Sequence, residues 1–525
     1  MTAFRRFAFG VVLATGLPME LGGQTPRIAP PPPCRADGRV PVAELQRRPV
    51  SGTLVAVLPL EARLTVAAQV HLPWALATGI AQRISELPGV TAPSRGTTER
   101  ASGNAAGRFD EFAHLLGAKL VVSGAVGSER TGAIISIRIA EPGAEAARWE
   151  RDYAYPETAL ASVEYQVASA VAEVLGIPRP VERPGLVTDP SAYDDLARGD
   201  FFLTQHDALA GDSARAAYER ALARAPGSPV VMARLARAYA VSLERRGRAG
   251  PLGQAAALRE GNALVDRALM TDSNEANAWT ARAILERVND PVSYGGAVRA
   301  HERAIRAAPR SAEARHEYAV TLLRLGRDEA AASQLRLALL AEADRAATLR
   351  LLAEREYLRR QYANACAVVN ASIGADPYDP LAYALRARIR VRLDEFRDAL
   401  SDAETARRLS GSVWGETLEF YITAFAREFD AARADSRRLS QAKLRSGVTL
   451  DVWDAAYLGM AFGVLGSRDR AFDALTRARP RGAELRSILR DPGFDPIRSD
   501  PRFSRVGRDD ATSRSSNTSR PSGAR

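Results

Sequence analysis

The sequence predicts a small α/β domain followed by an all-α helical-repeat solenoid, an α-α superhelix. Three observations carry that prediction. At 525 residues the chain is too long for a single hydrophobic core. From Ser51 to Ile177, short apolar runs alternate with helical stripes. From Pro190 onward, small and large apolar residues recur at a nearly constant interval. The apolar fraction of 46% and charged fraction of 26% exclude wholesale disorder. With aromatics at only 6%, the core rests on Ala, Leu and Val, which suit closely packed helices.

The first segment, 1–23, reads as an export signal. Arg5 and Arg6 form a positive head, and Phe7–Leu17 is an apolar stretch too short to span a bilayer. No membrane span is expected in the mature chain. Residues 24–50 are rich in Pro and Arg and read as a flexible lead-in.

Residues 51–180 form the α/β unit. Leu54–Leu58 is a continuous apolar run, as expected for a strand buried on both faces. Leu76, Ile80, Ile84 and Leu87 stripe a helix over Trp74–Leu87 that stops at Pro88-Gly89. A short extended piece surrounds Val90, and Phe109–Leu116 reads as a second helix. Leu120–Val126 and Ile134–Ile139 flank a hairpin turn, with Ile135, Ile137 and Ile139 on one side and Ser136 and Arg138 on the other. Trp149–Tyr155 offers a further strand, and Val163, Val167, Val171 and Val174 stripe a last helix.

Charge and cysteine content narrow the function classes. The 72 basic residues exceed the 62 acidic ones, for a net charge of +10. Only Lys119 and Lys443 are lysines, a ratio that fits a GC-rich genome better than any ligand. Residues 1–50 hold seven Arg against three acids, and residues 505–525 hold five against two, which leaves the body only +3. A nucleic-acid binder needs a concentrated basic face, so no nucleic acid is expected. Cys34 and Cys366 lie far apart in unlike contexts. They predict neither a disulfide framework nor a metal site, and Cys366 reads as a small buried hydrophobe.

Motifs for catalysis are missing. No Gly-rich phosphate loop follows the first strand, and neither G-x-S-x-G nor a kinase triplet occurs. His316-Glu317 begins like a zinc-protease motif, but Val320 stands where the second histidine must be. The five histidines are scattered, so no catalytic residue, cofactor or metal is expected and the chain reads as no enzyme.

The repeat at 190–480 has a period near ~34 residues and about eight helix pairs. Its clearest copy is Leu458-Gly459, Phe462, Gly466, Ala471, Leu475 and Ala478. Partial copies include Ala214, Tyr218, Ala221 and Pro226; Trp279, Ala297, Ala304 and Pro309; and Gly326, Ala331, Leu335 and Ala338. A degenerate copy surrounds Phe420–Leu439. Small residues let paired helices approach, and large ones fill the gap to the next pair, so these positions are structural. Residues 481–506, with Asp491-Pro492-Gly493-Phe494-Asp495-Pro496-Ile497, read as a cap over the last exposed face, and 507–525 as a disordered tail.

These spacings are the signature of tetratricopeptide repeats, and the array resembles that family. The α/β order, with Leu120–Val126 leading into Ile134–Ile139, resembles the TolB amino-terminal-like domain. That module accompanies repeat arrays in bacterial signalling proteins, but this chain carries no cyclase, kinase or winged-helix portion. The resemblance implies a partner groove on the concave face formed by the first helix of each pair. In this register the inward positions are Asn277, Arg287, His316, Arg324, Arg350, Tyr357, Arg388 and Arg392. They do not reproduce the lysine-and-asparagine carboxylate clamp of chaperone-binding members. Their arginines suit an acidic segment of a protein or peptide partner, although the solvated-surface reading of the same charges ranks ahead of it. The leading expectation is a non-catalytic periplasmic or envelope interaction scaffold. The alternative is a sensor whose α/β domain or groove binds a small ligand and reports to a membrane partner.

Overall fold

The computed structural model describes residue 34 and residues 53–506, except 66–68, 93–116, 130–131, 145, 181–188, 205–209, 247–252, 291–292, 310, 342–345, 411–413, 427–449 and 480–482. The export segment, most of the lead-in, the helix expected at Phe109–Leu116 and the tail therefore lie outside the described residues. So does most of the degenerate copy after Ala426.

The apolar run after Ser51 forms β1 (Thr53–Val57), parallel to both β3 (Val90–Thr91) and β4 (Leu120–Ser128). β2 (Glu61–Arg63) also runs parallel to β4, further along it. β5 (Ala133–Ala140) and β6 (Trp149–Tyr155) follow antiparallel, giving the order β3-β1-β4-β5-β6. Ile135, Ile137 and Ile139 are buried while Ser136 and Arg138 are only partly covered, the alternation that a sheet with one core face requires. Two helices cover that face. α1 (Leu72–Ser85) contributes Leu72, Leu76, Ile80 and Ile84, and α2 (Leu160–Leu175) contributes Val163, Val167 and Val171.

The α/β unit docks directly on the first array helix, α3 (Pro190–Leu203). Its joint is polar at two points. His71 Nε2 lies 2.7 Å from Asp194 Oδ1, and the Tyr193 hydroxyl donates to Glu164 Oε2 at 2.9 Å. Glu164 is buried, and a Cβ added to Gly79 would sit 2.2 Å from its Oε1, so only glycine admits that carboxyl. Burial first of all pushes the Glu164 carboxyl up to about 7, against the bond from Tyr193 and the nearby Arg83, which lower it. Trp74 meets Phe201 edge-on at 5.9 Å beside this joint.

Paired helices follow: α3 with α4 (Ala210–Arg224), α5 (Pro229–Arg246) with α6 (Gln254–Thr271), and α7 (Ala276–Asn289) with α8 (Gly295–Ala307). Next come α9 (Ala312–Arg324) with α10 (Asp328–Ala341), α11 (Ala346–Leu358) with α12 (Tyr362–Ala375), and α13 (Pro380–Arg392) with α14 (Phe396–Ser410). α15 (Trp414–Phe425) precedes the undescribed stretch, and α16 (Val452–Val464) pairs with α17 (Arg468–Thr476). This mixed sheet with helices, followed by a long run of paired helices, is a tetratricopeptide-type superhelix. Capping residues start the first helices: Asp189, Ser311, Asp379 and Asp451 each accept a backbone N–H. Within pairs, the turn residue is left-handed at Gly326, Arg360 and Asp394, each 34 residues after the last, and again at Gly466. Glycine adopts that conformation freely, whereas Arg360 and Asp394 do so at a cost.

One expectation is overturned. Cys34 and Cys366 form a disulfide, with their Cα atoms 6.2 Å apart across a sequence separation of 332. Cys366 is buried, as anticipated, but as half of a bond that ties the lead-in to α12. Separation along the chain carries no information about separation in space once a superhelix has wound between the two ends.

After β8 (Ala478–Arg479), which pairs with β7 (Leu450–Asp451), the chain turns back over the array. α18 (Ala483–Ile488) packs on α9 and α16, a 3-10 helix (Pro492–Ile497) packs on α16, and α19 (Pro501–Val506) on α17. Phe494 and Ile497 are fully buried there.

Candidate functional site

The closing segment does more than cover the last pair. It crosses the first helices of the second half of the array. Arg490 donates to the Leu323 carbonyl at 3.2 Å and pairs with Asp328. Asp495 takes both terminal nitrogens of Arg360, at 2.8 and 3.0 Å. Asp491, between them, is the centre of the contact.

Asp491 is 1% exposed, and its carboxylate is fully engaged. Oδ1 accepts the Gly493 N–H at 2.6 Å and the Tyr357 hydroxyl at 2.8 Å, while Oδ2 accepts Arg388 Nη2. The Arg388 guanidinium stacks 4.7 Å from the Tyr357 ring and 4.8 Å from the Trp453 ring. Three first helices, α11, α13 and α16, thus converge on one aspartate of the cap. Burial, the largest single influence, would lower the Arg388 pKa, but Asp491 together with Tyr357, Tyr457 and Glu354 outweighs it and the guanidinium is held well above its ordinary value. The Tyr357 hydroxyl is pushed far up, first by burial and then by Asp491.

The other positions assigned from the repeat register are mostly committed to internal bonds. Arg287 Nη2 donates to Glu317 at 2.8 Å and Nη1 to the Thr321 hydroxyl at 3.1 Å. His316 Nδ1 lies 3.1 Å from Thr348, and Asn277 Nδ2 donates to Glu275 at 2.7 Å. Arg350 Nε donates to Asp379 at 2.8 Å, and Arg324 reaches the Tyr294 hydroxyl. Arg392 differs. Its guanidinium lies 5.0 Å over the Phe425 ring, and its Nε and Nη2 are sealed from solvent with no acceptor. The cap lies over two of the register positions, Tyr357 and Arg388, and Arg287 is buried inside the array. The register does place Tyr357, Arg388 and Arg392 in one cluster.

Sequence reasoning missed the acid that meets the arginines. It assigned Asp491 to the cap and Arg388 to a partner, and the two are a single contact. The signal available was the Asp-Pro-Gly-Phe-Asp run itself, whose acids at 491 and 495 match two cations on the face it covers. Elsewhere, an open cleft of about 590 Å³ lies between α6, α7 and α8, lined by Trp279, Arg299, Arg303 and Arg306 among others. Among the described residues no group of three or more His, Cys, Asp or Glu is placed to hold a metal ion. None of their helices is long and apolar enough to cross a membrane.

No family model and no curated protein matches the chain. Solved structures to which it is similar include PilW, described as a widely conserved type IV pilus biogenesis factor, at 19% identity. That match covers 41% of this chain and 95% of PilW, with a TM-score of 0.35. A tetratricopeptide repeat protein from Parabacteroides merdae matches at 17% identity over 48% of this chain and 92% of its own, TM-score 0.32. Yeast Tom70 matches at 12% identity over 84% of each chain, TM-score 0.36. Likenesses this distant carry no argument about what this chain does.

Proposed function

We propose that this chain is a non-catalytic, exported protein-interaction scaffold that holds partner segments on the concave, first-helix face of its array. The observation that carries the reading is the contact made by the chain's own cap. A short 3-10 segment bearing Asp491 and Asp495 packs on the first helices and is gripped by stacked and bidentate arginines, which is the chemistry a partner segment would use. Export is supported by the Cys34–Cys366 disulfide, which suits an oxidising compartment, together with the signal-like Arg5, Arg6 and Phe7–Leu17.

The test combines location with contact. A tagged chain is fractionated, and a photo-crosslinking residue placed at Glu354, half-buried on α11, captures what touches the first-helix face in cells. The reading expects a processed chain in the envelope fraction and a discrete protein adduct. Recovery of the unprocessed chain in the cytosol would end the export part. An adduct formed only from positions on the second helices would move the partner to the other face.

The sensor reading has one observation in its favour. The α/β unit meets the array through a buried carboxyl, Glu164, and the His71–Asp194 contact, so a ligand altering the first unit would reach the second through α3.

A further inference from the structure

We propose that the cleft between α6, α7 and α8 is a second docking surface, on the side of the second helices, and that it takes an extended acidic segment of a protein partner. It adds a surface to the first-helix face and does not depend on it.

α6 and α8 both pack on α7 and flank it. Gly296 and Ala300, one turn apart on α8, line the cleft with side chains too small to fill it, and about 590 Å³ stays open. Arg299, Arg303 and Arg306 follow on the same face of α8, at steps of four and three residues. All three are exposed, so a partner can reach them. Arg282, the fourth cation of the cleft, is instead engaged by Asp266 and Asn262. Arg303 lies 5.4 Å over the Trp279 ring, which is held in place by its own Nε1 donating to the Ser273 carbonyl at 2.9 Å.

Stacking uses the flat face of a guanidinium and leaves its in-plane N–H groups for an acceptor. The chain itself pairs ring and carboxylate in this way. Arg388 holds Asp491 between Tyr357 and Trp453, Arg386 over Tyr383 holds Asp402, and Arg498 over Phe503 holds Asp495. Charge and spacing select the occupant of the cleft. The three arginines span about 10 Å of α8, and acids on one face of an extended chain recur about every 7 Å, so two or three acids can meet the stripe. Glu286 and Glu302 also line the cleft. They repel a nucleic-acid backbone, which is all acceptor, whereas a peptide offers them backbone N–H groups while its acids reach the arginines. Leu269 and the Trp279 ring give an apolar side chain between the acids a place to pack.

The probe is a fluorescein-labelled, C-terminally amidated peptide, Gly-Ser-Glu-Leu-Glu-Phe-Glu-Gly, titrated by anisotropy into the full disulfide-bonded chain. Saturable binding is expected, weakened about fivefold by the double variant Arg299→Gln/Arg303→Gln through loss of two exposed charge contacts. Arg306→Glu alone, an exposed change of sign at the end of the stripe, should weaken it at least as much. The double variant Arg148→Gln/Arg179→Gln removes the same charge from exposed positions outside the array and should leave the affinity unchanged. Gln in place of Glu in the peptide should abolish binding, and a thymidine octamer should bind more weakly than the peptide. Absence of saturable binding, full affinity in both cleft variants, equal weakening in the Arg148→Gln/Arg179→Gln control, or tighter binding of the octamer would each overturn the proposal. Crosslinking from Glu354 on α11 reads the first-helix face and the anisotropy series reads the cleft, so each reading can fail without the other.

Discussion

Replacing Arg388 by alanine isolates the contact between cap and array. The side chains of Arg388 and Asp491 are 5% and 1% exposed, so neither charge is screened by water. Alanine would leave the Asp491 carboxylate buried with only the Gly493 N–H and the Tyr357 hydroxyl, and would open a void between the Tyr357 and Trp453 rings. Breaking a buried pair by removing one partner costs about 3–5 kcal/mol, most of it the penalty on the charge left behind. Asp491→Asn should cost less, because the amide keeps one acceptor for Tyr357 and Gly493 while the stranded guanidinium retains its aromatic neighbours. The double variant should then fall short of the sum, as expected for side chains in direct contact. Urea unfolding followed by circular dichroism measures all three, with Arg303→Ala as the exposed control. If Arg388→Ala shifts stability by less than about 1 kcal/mol, as expected of an exposed ion pair, the cap is not held as described and the arginine belongs to the solvated surface.

The disulfide closes a loop of 332 residues, worth up to ~6 kcal/mol in the chain-entropy picture; reductant or Cys34→Ser should lower the melting temperature, and two reactive thiols in the denatured, unreduced chain would show that the bond does not form. Glu164 should make stability fall as pH rises. Its carboxyl holds its proton to about 7 in the fold against a reference of 4.5, so both states are protonated below that window, and about 3 kcal/mol is lost across it as only the unfolded chain ionises. Glu164→Gln should remove that slope and be the more stable form at pH 8; an unaltered pH profile would count against the buried, protonated carboxyl. Asp394 is left-handed, with φ of 58°, so Asp394→Gly should stabilise by about 0.5–1 kcal/mol, and a lower melting temperature would mean that the side chain contributes more than the strain costs.

The repeat was legible because close approach demands small residues at set positions. A Cβ on Gly459 would lie 2.9 Å from Leu475, and one on Gly199 would lie 2.3 Å from Tyr218. The α/β strands were legible for a similar reason, since Ile135, Ile137 and Ile139 must share one face. What stayed hidden is contact between distant parts of the chain. Arg388 and Asp491 are 103 residues apart, and Cys34 and Cys366 are 332 apart. Helical register groups side chains on one face of a solenoid, but the winding of the whole array decides which distant segment lands there. The turn signature was blurred as well, because Arg360 and Asp394 occupy left-handed positions where glycine would have marked the repeat.

The excess of arginine over lysine has a structural side that composition alone does not suggest. Several of these arginines do what an ammonium could not. Arg386 sets Nε and Nη2 on the two oxygens of Asp402, at 2.9 and 2.7 Å, while Arg390 reaches the same buried acid at 2.6 Å. Arg388 lies between two rings, and Arg360 forks onto Asp495. Each arrangement uses the planar shape of the guanidinium as well as its charge. Exposed pairs such as Arg148–Glu141 and Arg179–Glu173 carry no such demand and contribute little to stability. Buried aspartates at which arginines gather include Asp402 within the sixth pair, Asp491 in the cap, and Asp195 in the first pair, which holds Arg220 and Arg224. The second of these is the one that any partner segment entering the face at Arg388 would have to displace.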